Sequence, residues 1–190
     1  YPLLLHPKVR MSDKIWLRSY PPGMPAEIGI SPFSSVPELL EDTIRRYADK
    51  PAFHNLGHTI SFSELDRLSR DLAAYLQSLS GLTKGERVAI MLPNLLQYPV
   101  VLFGILRAGL TVVNINPLYT ARELEFQLKD SGARAIIILE NFAVTLQKVL
   151  PNTAIRHVIS TQVGDLLPAP KRWLVNFVIK RIKKMVPRWR

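Results

Sequence analysis

Apolar and polar positions follow a regular order through the middle of the chain, where strand and helix patterns follow one another without a gap. Short apolar runs bounded by turn residues predict buried strands, and the longer segments between them predict helices. Pro99 lacks an N–H group, so the first helix should begin near Gln97 or bend in its first turns. The predicted order is strand 87–92, helix 95–108, strand 110–115 and a helix that begins after Thr120 and ends at Gly132.

Polar and glycine residues mark the ends of these elements. Gly109 stands where a left-handed cap would end the first helix, and Gly132 stands at the corresponding place after the second. Thr120 followed by Glu123 forms a capping-box pattern. Strand, helix and strand at this spacing predict a right-handed parallel βαβ unit, whose ligands would lie at the carboxyl ends of the strands. The loops there, Pro93–Asn94 and 116–120, contain no glycine-rich phosphate loop.

The same patterns extend over the rest of the chain and define its fold class. Ser35 and Glu38 predict the start of a helix, and Ser63 is predicted to cap another helix with a leucine stripe. The remaining predicted elements are a hairpin (52–55 and 59–62, around the loop 56–58), a strand at 135–139, a helix at 141–150 and a strand at 156–160. We therefore expect an α/β fold, an open doubly wound and mainly parallel sheet with flanking helices.

These patterns also predict a division of the chain into four segments. Residues 1–10 are expected to be an upstream extension or fragment edge, since Met11 is the more natural start. Prolines and glycines between Ser12 and Pro32 predict an arm at 11–34 without regular structure. Residues 35–170 are predicted to form part of an α/β domain. Residues 171–190, hereafter the tail, are predicted to form a basic amphipathic helix at which the chain is truncated.

Composition is ordinary except in the tail. Of 190 residues 47% are hydrophobic, which is ample for a core, and the absence of cysteine excludes a disulfide framework and a cysteine-based site. The net charge is +10, but eight Lys or Arg and no acidic residue lie in the tail. Subtracting these eight from 25 leaves 17 basic residues against 15 acidic ones elsewhere. The basic character therefore belongs to the tail.

A helical wheel places the apolar and basic residues of the tail on opposite sides. The pattern is typical of a segment that lies on a membrane surface. The alternative is that the apolar side packs on the protein body and the basic side faces water. Nucleic-acid binding is a weaker interpretation, because no recognition motif accompanies the charge. The predicted membrane contacts are Lys180, Arg181, Lys183 and Lys184.

Other side chains offer little chemistry. The four histidines (His6, His54, His58, His157) lack the spacing of metal ligands. Glu123 and Glu125 lie two apart on a predicted helix, so they cannot act as a carboxylate pair. Asn116 and Tyr119 could approach a ligand at the end of a strand, although turn formation explains them equally well.

Two stretches resemble a known family. LRAGLTVVNINPLYTARELEFQLKDSGA (106–133) is similar to the second core motif of the adenylate-forming acyl-activating enzymes, and TISFSELDRLS (59–69) is similar to the first. PNLLQYPVVLFGILRAG (93–109) and MSDKIWLRSYPPGMPAEI (11–28) most resemble the bacterial long-chain fatty acid–CoA ligases within that family. The resemblance extends from Met11 to the end of the chain.

This resemblance implies the amino-terminal part of the large domain of such an enzyme. The charge pattern of the tail predicts that the enzyme is peripheral on the cytoplasmic face of a membrane. Members of the family join a fatty acid to the α-phosphate of ATP with Mg²⁺, and CoA then takes the acyl group. The family's phosphate loop, ribose-binding acid, hinge and catalytic lysine are expected beyond Arg190. The resemblance therefore assigns no catalytic, cofactor-binding or metal-binding residue to this chain, which is expected to be inactive alone.

Three hypotheses of different classes follow from the sequence. The chain is part of a fatty acid–CoA ligase, or a non-catalytic membrane-surface module, or a flavodoxin-like ligand-binding domain for which no site is evident. Acyl-length preference and oligomeric state are left open by the sequence.

Overall fold

The computed structural model describes residues 14–27 and 29–189, and the chain divides into two units, Tyr1–Ser34 and Ser35–Arg190. In the first unit, Ile15–Ser19 forms a short 3-10 helix before the first proline of the arm. The prediction that the arm has no regular structure is therefore wrong at this point. The predicted extension at 1–10, with His6, lies outside the described residues.

Four parallel strands form the central sheet of the second unit, in the order β4-β3-β5-β6. Val88 of β3 lies opposite Ala135 of β5, and Arg87 opposite Thr111 of β4, as in a βαβ unit. A separate hairpin, β1-β2, turns at Leu56 and Gly57, which both have positive φ. The strands are β1 Pro51–Asn55, β2 His58–Ser61, β3 Arg87–Met91, β4 Thr111–Asn114, β5 Ala135–Leu139 and β6 His157–Thr161.

Helices cover both faces of this sheet, which confirms the doubly wound α/β prediction. Alternate side chains of β3 point to opposite faces, so Val88 and Ile90 pack in one core cluster while Ala89 and Met91 pack in another. Helices α2 and α3 cover the first face, and α4 and α5 cover the second. The helices are α1 Val36–Tyr47, α2 Phe62–Ser78, α3 Gln97–Arg107, α4 Ala121–Ser131, α5 Ala143–Val149 and α6 Lys171–Phe177.

Most predicted helix ends are confirmed. Helix α3 begins at Gln97, and Gly109 follows it with φ of +76°. Thr120 and Glu123 form both halves of the capping box of α4, and Gly132 caps that helix in the left-handed conformation. The side chain of Ser35 accepts a hydrogen bond at the start of α1.

Three predicted boundaries are wrong. Helix α2 is capped by Ser61, not Ser63, because Ser61 forms a reciprocal capping box with Glu64. The predicted helix at 141–150 is an α-helix only over α5, with 3-10 turns at Glu140–Phe142 and Leu150–Asn152. The tail is helical only as far as Ile182, and its last five helical residues, Val178–Ile182, form a π-helix.

Candidate functional site

The carboxyl ends of the strands are where an open parallel sheet binds ligands, most often beside a change in strand order. Here the chain passes from β3 outward to β4 and then returns to the other side of β3 as β5. The loop after β3 and the residue after β5, Glu140, therefore lie at this position.

Side chains of the protein itself fill this position. Glu140 is buried directly after β5, and its Oε2 atom accepts hydrogen bonds from Gln162 Nε2 at 3.1 Å and from Lys180 Nζ at 3.0 Å. Buried Gln97, at the start of α3, donates from Nε2 to the carbonyl oxygen of Gln162 at 2.7 Å. The polar groups at the change in strand order thus bond to one another, which weighs against a flavodoxin-like ligand site there.

The two predicted carboxyl-end loops are also tied to their neighbours. Asn55 Nδ2 donates to the Asn94 carbonyl oxygen at 3.1 Å, which closes one side of a cleft between the hairpin and α3. In the second loop, Asn116 Oδ1 accepts the Leu118 backbone N–H at 3.0 Å, and Tyr119 N–H donates to the Asn116 carbonyl at 3.1 Å. Asn116 and Tyr119 therefore take part in a turn, as the alternative interpretation held.

Four of the acidic and histidine side chains considered earlier have structural partners within the protein. Hydrogen bonds from the side chain and backbone of Thr120 lower the pKa of Glu123 below its ordinary value. Lys129 Nζ lies 2.5 Å from Glu125 Oε1 and lowers the pKa of Glu125 in the same way. Both pKa shifts are explained by contacts on the surface of α4. His54 Nδ1 lies 2.6 Å from Thr59 Oγ1, and His157 Nε2 lies 2.9 Å from the Ser80 carbonyl. Among residues 14–27 and 29–189, no three His, Asp or Glu side chains are grouped to hold a metal ion.

The tail is fixed to the sheet edge by specific contacts on one side of α6. Asn176 Oδ1 accepts the Gly164 backbone N–H at 2.7 Å, and Asn176 Nδ2 donates to Asp165 Oδ1 at 3.2 Å. A Cβ atom on Gly164 would lie 2.8 Å from the Arg172 carbonyl, so the close approach requires glycine. Val175 packs against the core cluster that contains Leu40.

The four predicted membrane contacts therefore occupy different positions. Lys180 forms an ion pair with buried Glu140, so the Lys180 charge already has a partner within the protein. Arg181, Lys183 and Lys184 are exposed, and Lys184 has φ of +50° where the chain turns back after the helix. No helix in the described part of the chain is long and apolar enough to cross a membrane.

Sequence reasoning missed the side chains that position the tail. Glu140 follows an apolar strand at its carboxyl end, and that placement is a signal that could have identified it. Gln162 and Asn176 gave no such signal, because the partners of their side chains lie beyond the reach of helix and turn patterns, 22 residues away for Gln162 and 11 and 12 residues away for Asn176. The helical wheel also assumed a regular helix to Arg190.

Comparisons with known proteins agree with this architecture. The sequence pattern of the family described as "AMP-binding enzyme" matches residues 40–187. The chain is 58% identical over 177 residues to a long-chain-fatty-acid–CoA ligase of Yersinia pestis, covering 93% of this chain and 32% of that protein. It is 57% identical over 176 residues to one of Escherichia coli O157:H7, covering 93% and 31%. The chain thus spans about a third of the length of these relatives.

Solved structures show the same fold. A long-chain-fatty-acid–CoA ligase from Archaeoglobus fulgidus superposes with a TM-score of 0.64 at 25% identity, over 74% of this chain and 30% of that one. The family match covers most of the chain, and the fold is shared with this solved structure. The chain therefore belongs to the family of AMP-binding enzymes.

Proposed function

We propose that this chain is the amino-terminal part of a long-chain fatty acid–CoA ligase. The observation that carries the proposal is the 58% identity to the Yersinia pestis ligase over 93% of this chain. In the proposed reaction a carboxylate oxygen of the fatty acid attacks the α-phosphorus of ATP and pyrophosphate leaves. The CoA thiol then loses its proton and attacks the acyl carbon, which gives acyl-CoA and releases AMP.

The proposed role of this segment is structural support for a site built elsewhere in the enzyme. The polar groups at the change in strand order bond to one another, so this position presents no free set of donors for a triphosphate. Magnesium would screen the phosphates of ATP, but no described residue is assigned to it. We therefore assign ATP, CoA and fatty acid binding to the full-length enzyme.

We also place the enzyme at the cytoplasmic face of a membrane, through the tail. Long-chain fatty acids concentrate in membranes, and a basic segment without acidic residues is attracted to anionic lipids. A membrane-surface module without catalysis is the second candidate function, because the tail contacts would serve it equally well. The two candidates differ in whether the full-length protein turns over ATP.

Product analysis tests the ligase proposal. The full-length protein should convert palmitate, ATP and CoA to palmitoyl-CoA, AMP and pyrophosphate, detected by mass spectrometry. Reactions with acetate or benzoate in place of palmitate are the controls for substrate class. Activity with acetate or benzoate but not with palmitate would contradict the long-chain assignment. No product from any acid would favour the non-catalytic module.

A further inference from the structure

Three large apolar side chains form one exposed face of α6. Trp173, Leu174 and Phe177 are 63%, 63% and 57% exposed. Phe177 follows Trp173 by four residues and Leu174 by three, and both spacings place side chains next to each other on the surface of an α-helix. A contiguous exposed patch of aromatic and aliphatic side chains is typical of an interaction surface.

Polar contacts fix the rotation of this helix about its axis. Asn176 is hydrogen-bonded to Gly164 and Asp165, and Lys180 is paired with Glu140. Rotation of the helix to bury the three apolar side chains would leave these polar partners unsatisfied. The fold therefore fixes the apolar face outward.

One basic side chain contacts the apolar face, and further basic residues follow it in the tail. Arg172 lies 5.7 Å from the ring centre of Trp173 in a cation–π contact. After the helix the chain turns back, with Met185 N–H donating to the Ile179 carbonyl at 3.0 Å. Four basic residues of the tail and three apolar ones line one cleft: Lys180, Arg181, Lys184, Arg188, Val186, Pro187 and Trp189.

The charge of this surface is positive and unopposed. The tail contains no Asp or Glu. None of the ion pairs found among residues 14–27 and 29–189 uses Arg181, Lys183, Lys184 or Arg188. An anionic surface with an apolar layer beneath it complements both properties at once.

We propose that Trp173, Leu174 and Phe177 enter the interfacial layer of an anionic phospholipid membrane, while Arg181, Lys183, Lys184 and Arg188 contact its headgroups. Lys180 takes no part, because its charge is paired with Glu140. This inference rests on the membrane location proposed above and adds the surface responsible for it. Tryptophan and phenylalanine suit such a position, since their rings are stable between headgroups and acyl chains.

Vesicle flotation of the full-length protein tests the assignment. The vesicles contain phosphatidylcholine alone or phosphatidylcholine with phosphatidylglycerol. W173A/L174A/F177A and R181Q/K183Q/K184Q should each weaken binding to the anionic vesicles by about tenfold or more. The basic variant should also lose the preference for anionic vesicles and the dependence on salt, which the apolar variant keeps.

Matched variants separate this surface from general effects of charge and hydrophobicity. L118A/F126A removes apolar side chains that are 82% and 71% exposed elsewhere. K50Q/K84Q/K148Q removes the same charge from other exposed positions. E140Q/K180Q neutralises the internal pair and keeps two groups that can hydrogen-bond. All three should bind anionic vesicles as the unmodified protein does.

The outcomes distinguish the proposed membrane location from the surface that is assigned to it. If the unmodified protein binds neither vesicle type, the membrane location itself fails. If it binds but W173A/L174A/F177A binds equally well, the membrane location stands and this surface is wrong. A melting temperature for W173A/L174A/F177A far below that of L118A/F126A would show that another part of the full-length protein covers the face, and would overturn the inference. Loss of binding by E140Q/K180Q would show that Lys180 contacts the membrane after all.

Discussion

Asp66 and Arg107 join the two stretches that carry the family resemblance. Asp66 lies in the first, on α2, and Arg107 ends α3 in the second. Arg107 Nη2 lies 2.6 Å from Asp66 Oδ1, and Arg107 Nη1 donates to the Asp66 carbonyl at 3.2 Å. The Arg107 side chain is only 6% exposed, so its charge depends on this partner. Both residues therefore have a structural reason to be present.

The pair makes stability depend on pH. Burial raises the pKa of Asp66, but hydrogen bonds and charge from Arg107 and Arg70 lower it more, so the pKa lies below its ordinary value. A carboxylate with a lowered folded-state pKa stabilises the protein above its unfolded-state pKa, near 4. That contribution is lost as pH falls through the folded-state pKa.

We expect Asp66→Asn to lower the free energy of unfolding by about 2–3 kcal/mol at neutral pH, because Arg107 stays buried without its carboxylate. The difference should shrink as pH falls from about 4, where Asp66 of the unfolded chain becomes protonated, through the lower pKa of Asp66 in the folded protein. Urea unfolding at a series of pH values measures both effects. Asp71→Asn, which breaks an exposed pair with Arg67, should cost less than about 0.5 kcal/mol and serves as the control. A pH-independent effect of Asp66→Asn would contradict this account.

At the scale of elements, glycine governs the junction of α3 with β4. Gly109 has φ of +76°, and an added Cβ would lie 3.4 Å from Lys84 Cγ, an ordinary contact. The backbone conformation, and not lack of space, is therefore the reason that position 109 favours glycine. Gly104, within α3, is the opposite case, since its added Cβ would lie 2.8 Å from Leu72 Cδ2.

Gly109→Val should lower the free energy of unfolding by more than about 1 kcal/mol, because a β-branched residue is strained at positive φ. Lys84→Ala should not restore the loss.

Gly104→Ala should also destabilise, by about 1–3 kcal/mol through overpacking, and Leu72→Ala in the same chain should offset part of that cost. Chemical denaturation of the single and double variants measures these changes in the free energy of unfolding. Rescue of Gly109→Val by Lys84→Ala would show that space, not φ, sets the constraint.

Elements whose signals are local could be predicted from the sequence. The sheet strands, the cap at Thr120 and the glycine at 132 depend on residues a few positions apart, and the structure confirms them. The cap of α2 was misplaced because two serines compete, and only the partner Glu64 selects Ser61. The tail could not be oriented from sequence, since Lys180 finds its partner 40 residues earlier. A helical wheel contains no information about such a partner.

At the scale of the whole molecule, we propose that the chain supplies a supporting fold and that the chemistry lies elsewhere in the full-length protein. The purified 190-residue chain should therefore release no pyrophosphate from ATP and fatty acid, because catalysis of this kind depends on donors positioned at the phosphates. Circular dichroism of the same preparation checks that the chain is folded. Fatty-acid-dependent release of pyrophosphate by the isolated chain would contradict the proposed division of roles.

The exchange of labelled pyrophosphate into ATP by the full-length protein tests the central claim most directly, because it reports formation of the acyl-adenylate before CoA enters. The account predicts exchange that requires a long-chain fatty acid and proceeds without CoA. Exchange that is absent until CoA is added, or that proceeds without any fatty acid, would contradict the claim that this family member activates fatty acids through an adenylate.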